Sequence, residues 1–258
     1  METRSWLGLM ALVAGAAQAQ AADDDRWAYR AAPYVWSTSF DGSVAHAQLP
    51  LGFRADNNFG DAWKDLDVDR IGGMGAFEAR KGRHGLLVDG LYARLSTAVQ
   101  APQMGAQLPA RLKLRAATGL VAYRYGWLED ASGHLDLVAG ARAWSVRTRI
   151  AYAAPIPLPP PMPQQYSGQQ KADWVDLQVG VKGRRAFANR TFLGGWALAG
   201  RGESDLSTDV MLLAGYAFND RTSLVAGYRW LSSDYASSNG FSFDTTLNGP
   251  GLGLEHQF

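Results

Sequence analysis

Between Val175 and Arg184 the chain alternates without a break. Val175, Leu177, Val179 and Val181 fall on one side, and Asp176, Gln178, Lys182 and Arg184 on the other. A period of two belongs to a pleated strand with unlike faces, not to an amphipathic helix. The last strand repeats the pattern, with Leu252, Leu254, His256 and Phe258 on one face and Gly251, Gly253, Glu255 and Gln257 on the other. Whatever the chain folds into, it is a sheet wall with an apolar and a polar side.

The same reading yields ten strands: 27–40, 68–80, 85–97, 110–127, 134–152, 171–187, 191–201, 206–218, 222–232 and 241–258. Most exceed the roughly 9–11 residues that a tilted strand takes to cross a bilayer. An even count suits a closed barrel of up-and-down strands, with eight and twelve as alternatives. The expected fold is therefore all-β, a transmembrane antiparallel barrel occupying residues 22–258.

The first residues point to export. Arg4 precedes a run of ten apolar residues, Trp6 to Gly15, followed by the small-residue pattern Ala17-Gln18-Ala19-Gln20-Ala21. That is a signal peptide over 1–21 and too short for a spanning helix. Its removal takes away Glu2 and Arg4 together, so the net charge of +1 is unchanged. So small a charge gives no reason to expect nucleic acid. The absence of cysteine excludes a disulfide framework and thiol chemistry.

Connection lengths give an independent check. With the N-terminus in the periplasm, the short connections at 81–84, 128–133, 188–190 and 219–221 all fall on the periplasmic side. Those at 41–67, 98–109, 153–170 and 233–240 fall outside and are longer, the asymmetry this architecture shows. The short external turn near Glu203 is the exception. Segment 60–69 (GDAWKDLDVD) reads as a short helix or plug-like loop. The run Ala154 to Pro163 holds six of the eleven prolines and fits a stiff external loop. Tyr123, Tyr125, Trp127, Tyr216, Phe218, Tyr228 and Trp230 lie near strand ends, as aromatic girdles do.

Several segments carry a resemblance: FEARKGRHGLLVDGLY, DLVAGARAW, GGWALAGRGESDLST, and LVAGYRW with FDTTLNGPGLGLEHQF. From about Pro33 onward the chain resembles a poorly characterised proteobacterial family of outer-membrane β-barrel proteins, similar to OmpA-like and OmpW-like barrels. The alternating end Leu252, Leu254, His256, Phe258 resembles the C-terminal signal read by the barrel-assembly machinery, with His256 where an arginine is usual. The resemblance implies Gram-negative outer-membrane residence and no particular activity.

Candidate chemistry is weighed against the plain reading of the same residues. His46, His84, His134 and His256 are the four histidines. A rim His with Ser and Asp would make a membrane-embedded hydrolase, a lipid deacylase or omptin-like protease, and the topology leaves only His46 well placed. Asp65, Asp67 and Asp69 alternate but lack the glycine-bearing loop of a calcium site. The expectation is no enzyme, no metal and no cofactor.

Two constellations remain. Glu78, Arg80, Asp89, Arg124, Asp136, Arg142, Asp176, Gln178, Lys182, Arg184, Asp209, Arg229 and Glu255 form the expected lumen, where confined charges of both signs must interlock. It is either a structural plug or a narrow, porin-like pore, and ten strands lie near the filled end of the range. The second follows from pairing 110–127 with 134–152 about Ala131. That sets Arg115 across from Arg147 and Lys113 across from Arg149. With Arg124, Asp136 and Arg142 inward, Arg111, Lys113, Arg115, Arg147 and Arg149 point outward, just above the hydrocarbon. Facing like charges need an anionic partner, and lipopolysaccharide phosphates are the expected one, as a clamp. The functional expectation is a structural, surface-interaction or small-solute channel role, with membrane lipid, lipopolysaccharide and the assembly machinery as partners.

Overall fold

Alternating segments of this kind pair with their sequence neighbours, and from Met74 to Gln257 the chain does so at every step. In a computed structural model describing residues 26–45, 52–57, 73–103, 106–153, 165–238 and 240–258, twelve strands form one antiparallel sheet. They are β1 (Ala28–Trp36), β2 (Ser39–Ala45), β3 (Gly52–Asn57), β4 (Met74–Lys81), β5 (His84–Gln103) and β6 (Ala106–Asp130). The remainder are β7 (Gly133–Ala153), β8 (Gln165–Ala186), β9 (Thr191–Gly202), β10 (Leu206–Ala217), β11 (Thr222–Ala236) and β12 (Ser242–Gln257).

The ring has ten strands, because β1 pairs with both β4 and β12 and closes the sheet on itself. β2 and β3 are not part of the count. β2 continues β1 along β12 in the same register, after a break at Ser37 and Thr38, so that Trp36 faces Gly251 and Ser39 faces Asn248. β3 then folds back beside β2. The expected mixed segment 41–67 thus contains a hairpin that heightens the wall. Its presumed helix at 60–69, with Asp65, Asp67 and Asp69, lies outside the described residues, as do His46, the leader 1–21 and the proline run 154–163.

One further expectation is corrected. The loop at 98–109 is strand almost to its tip, since β5 runs to Gln103 and β6 starts at Ala106. Of the strand expected at 68–80, residues 68–72 lie outside the described residues and the rest is β4. The error at 98–109 has a physical source. Once a hairpin is in register, each added residue pair satisfies its own backbone groups, so pairing continues through Gln100 opposite Pro109 despite the proline. One bulge, at Trp127, interrupts the β6–β7 ladder between Gly126 and Leu128, and the register beyond it is unshifted up to Ala110 opposite Tyr152.

The seam between β1 and β12 is the least complete ladder. Its register runs from Arg30–Gln257 and Ala31–His256 to Tyr34–Gly253, skipping Ala32 and Pro33. The register places Pro33 opposite Leu254, and a proline has no N–H to offer there.

The two faces of the wall are sorted in the direction opposite to a soluble barrel. Leu177 and Val179 are 69% and 62% exposed, while Asp176 and Gln178, their chain neighbours, are 0% and 1% exposed. Exposed Val121, Leu137, Leu212, Leu224, Leu252 and Leu254 continue the apolar belt around the outside. Exposed aromatic rings fringe it, with Trp27, Tyr29, Tyr123, Trp127, Phe187, Tyr216, Phe218 and Phe258 at the short-turn end and Tyr228 and Trp230 toward the other.

Candidate functional site

From the short-turn mouth inward the described interior is packed in layers, and each layer follows from which residues alternate inward. At the short-turn end, Glu255 takes Arg184 at 2.7 and 2.9 Å and Arg30 at 3.5 Å. One step further in, Arg124 pairs with both Glu78 and Asp136, and Lys182 lies 3.1 Å from Glu78. Leu87, Leu120, Ala122, Val138, Trp196 and Leu198 then form a compact apolar layer inside the ring, with the Lys182 ammonium over the Trp196 ring at 5.4 Å.

The central layer is a four-charge network. Arg229 donates to Asp89 Oδ1 at 2.5 Å, to Asp209 at 2.7 and 2.9 Å, and to the Tyr34 hydroxyl at 2.6 Å. Tyr34 donates onward to Asp89 at 2.7 Å, and Arg142 closes the circuit on Asp209. Two guanidinium groups thus face two carboxylates, each at most 2% exposed. Such a set is tolerable in a confined interior because the signs balance, with Arg229 fully engaged while Arg142 bonds Asp209 through one nitrogen alone. Asp176, beside it, accepts the Ser204 N–H of the β9–β10 turn at 2.9 Å.

Above the charges sits an aromatic lid. Trp144 stacks on Trp174 at 5.6 Å, Trp174 stacks on Tyr235 at 4.4 Å, and Phe243 leans against both indoles. Leu91, Leu114, Val146, Leu231, Phe241 and Leu247 complete it. The sequence reading missed this lid by treating aromatics as girdle residues. The signal was present: period two puts Trp144 on the face of Arg142 and Trp174 on the face of Asp176.

All the predicted lumen residues are brought together on the inner face. Arg80 is the most peripheral, paired at 2.6 Å with Glu129 at the short-turn rim. The three described histidines do not converge. His84 bonds the Tyr123 hydroxyl, His134 sits 3.7 Å from Asp136, and His256 bonds Thr222.

The outward basic residues have the register the sequence implied. Lys113 stands opposite Arg149 and Arg115 opposite Arg147, and all four are exposed on the outer face. The row is longer than expected. Arg94 of β5 stands opposite Arg115, and Lys171 of β8 opposite Arg147, so four cations from four adjacent strands share one line. Arg111 stands between Ala98 and Ala151 in the ladder. Asp173 offsets part of the row, 2.5 Å from Lys171. Hydrogen bonds from Lys171 and Ser145 hold the Asp173 carboxyl below the usual range. Elsewhere on the same end Asp234 faces Asp244, and partial burial together with Asp244 and Asp205 raises its carboxyl.

These features define a closed, filled, ten-stranded barrel with an apolar exterior. No protein-family model matches the chain, and no curated protein matches its sequence. Among solved structures the chain is similar to Ail, the attachment invasion locus protein of Yersinia pestis, at 8% identity and a TM-score of 0.38, over 90% of this chain and 98% of that one. It is similar to the translocator domain of the autotransporter NalP from Neisseria meningitidis at 11% identity and 0.43, over 90% and 88%. The transport unit of AIDA-I from Escherichia coli aligns at 8% identity and 0.40, over 90% of each chain. These neighbours are outer-membrane β-barrels. At such identities and scores the likeness carries nothing about role.

Proposed function

We propose that the chain is an integral outer-membrane barrel whose sealed interior makes it a structural and surface-contact protein rather than a channel. Export through a cleaved leader and closure by the barrel-assembly machinery belong to that reading, with the short turns in the periplasm. The observation that carries it is the central layer: Arg142, Arg229, Asp89 and Asp209 are at most 2% exposed, beneath the stacked Trp144, Trp174 and Tyr235. A permeating ion would have to displace balanced, hydrogen-bonded charge and part an aromatic stack. Purified protein in a planar bilayer is expected to show no steady conductance. Stable single-channel steps whose ion selectivity changes on Lys182→Glu would establish a pore instead.

The basic row favours one surface partner. Cations directly opposite one another destabilise a sheet, yet exposed Arg115, Arg147 and Lys171 share a line just beyond the apolar belt, with Arg94 next to Arg115 in the ladder. Lipopolysaccharide phosphates at that level neutralise them through charge-assisted hydrogen bonds. Replacing Lys113, Arg115, Arg147 and Arg149 by glutamine should strip most of the lipopolysaccharide that copurifies. Undiminished retention sinks the clamp.

A further inference from the structure

The short-turn mouth of the barrel holds a cavity of about 420 Å³ whose lining includes three arginines, Arg184, Arg190 and Arg221. Each is placed by a separate device. The Arg184 guanidinium lies 3.5 Å from the centre of the Phe192 ring. Phe192 can occupy that position because residue 215 is glycine, where a Cβ would fall 2.0 Å from the ring. Arg221 follows an Asn219 turn in which Asn219 Oδ1 accepts the Arg221 N–H at 2.9 Å and the Thr222 N–H at 2.8 Å.

Arg190 is the least expected. Its φ is 64°, the single positive value at a non-glycine position among the described residues. A long side chain is unfavourable there, where glycine or asparagine is usual. The Ala217 N–H donates to its carbonyl at 2.9 Å and holds the strained turn against β10. A backbone outlier that a tight turn could have avoided with glycine points to a use for the side chain.

The charge balance at this mouth is positive. Glu255 is already shared by Arg184 and Arg30. Asp220 lines the same cavity and opposes an anion, but it stands against both Arg190 and Arg221. We propose that this mouth is a binding site for a small oxyanion, a carboxylate or phosphate group, taken between Arg190 and Arg221 with Arg184 at its back. Planar guanidinium groups suit such ligands because they donate two parallel hydrogen bonds to one group. Placing the site in the periplasm rests on the topology proposed above. From that side the anion comes either as free phosphate or as a carboxylate on a peptidoglycan stem peptide.

The test uses the full chain refolded in zwitterionic detergent, titrated calorimetrically with inorganic phosphate and with a soluble stem-peptide fragment. Saturable binding of at least one probe is expected, at least tenfold weaker in Arg190→Gln/Arg221→Gln. Tighter binding of the fragment than of phosphate assigns the polymer as source, and the reverse assigns the free ion. Arg190→Gly separates ligand binding from a purely structural role, since it should relieve the turn and resist unfolding better while binding more weakly. No saturable binding by either probe, or unchanged affinity in the double variant, overturns the proposal. Sidedness is read separately, because the chain has no cysteine. Asp220→Cys should react with an impermeant maleimide only after the outer membrane is opened. Labelling in intact cells would overturn the topology while leaving the micelle result standing.

Discussion

Arg229 does more in this molecule than any other single side chain. It bonds Asp89, Asp209 and Tyr34, and its guanidinium lies 5.5 Å from the Trp36 ring and 5.2 Å from the Trp196 ring. Its partners come from β1, β5 and β10, so one residue ties together walls that are far apart in the chain. Removing one member of a buried charge set leaves the others uncompensated, at a cost of about 3–5 kcal/mol. Arg229→Gln should therefore lower the urea midpoint of the folded barrel sharply, while Arg201→Gln, on the exposed outer face, should leave it nearly unchanged. Equal midpoints for the two variants would mean that the network does not hold the walls together. Charge and parity made Arg229 legible as a lumen residue. Its partners were not, because inward position along one strand says nothing about which inward residue lies across the ring.

At the scale of the strand, legibility followed the strength of the alternation. β8 and β12 announce their faces residue by residue, and both are oriented as the pattern requires. The β6–β7 register agrees with the reading by way of the bulge: the turn pairs Asp130 with Gly133, and the one-residue shift at Trp127 then sets Arg115 opposite Arg147. β2 and β3 were hidden for the opposite reason. They are seven and six residues long, and they interrupt a strand whose register on β12 resumes after Ser37 and Thr38. A local pattern cannot show that two short pieces continue a neighbour. The outer ends of β5, β6 and β8 run beyond the expected Thr97, Ala110 and Lys171, to Gln103, Ala106 and Gln165. Paired backbone beyond the belt does not need the alternation that lipid imposes.

The whole molecule shows where counting succeeds. Ten crossings, even and antiparallel, follow from strand length and turn asymmetry, and the ring closes with that number. Whether the lumen is open depends on volumes summed across the ring, and those became visible only when Trp144, Trp174, Tyr235 and Phe243 were found in one stack. The closing ladder carries a further consequence, one of time. Every other junction in the ring forms between successive ring strands, whereas β1 must wait for β12, the last strand made. The barrel is therefore born at its poorest ladder and should come apart there first. Pro33→Val would supply the missing N–H opposite Leu254 at a position where β1 is already extended, adding one net hydrogen bond of about 1 kcal/mol. If unfolding begins at that junction, the half-life of the compact form in hot detergent, followed by electrophoretic mobility, lengthens in the variant. An unaltered half-life would place the first rupture in another ladder. A single imino acid at the junction thus acts on the lifetime of the ring rather than on its shape.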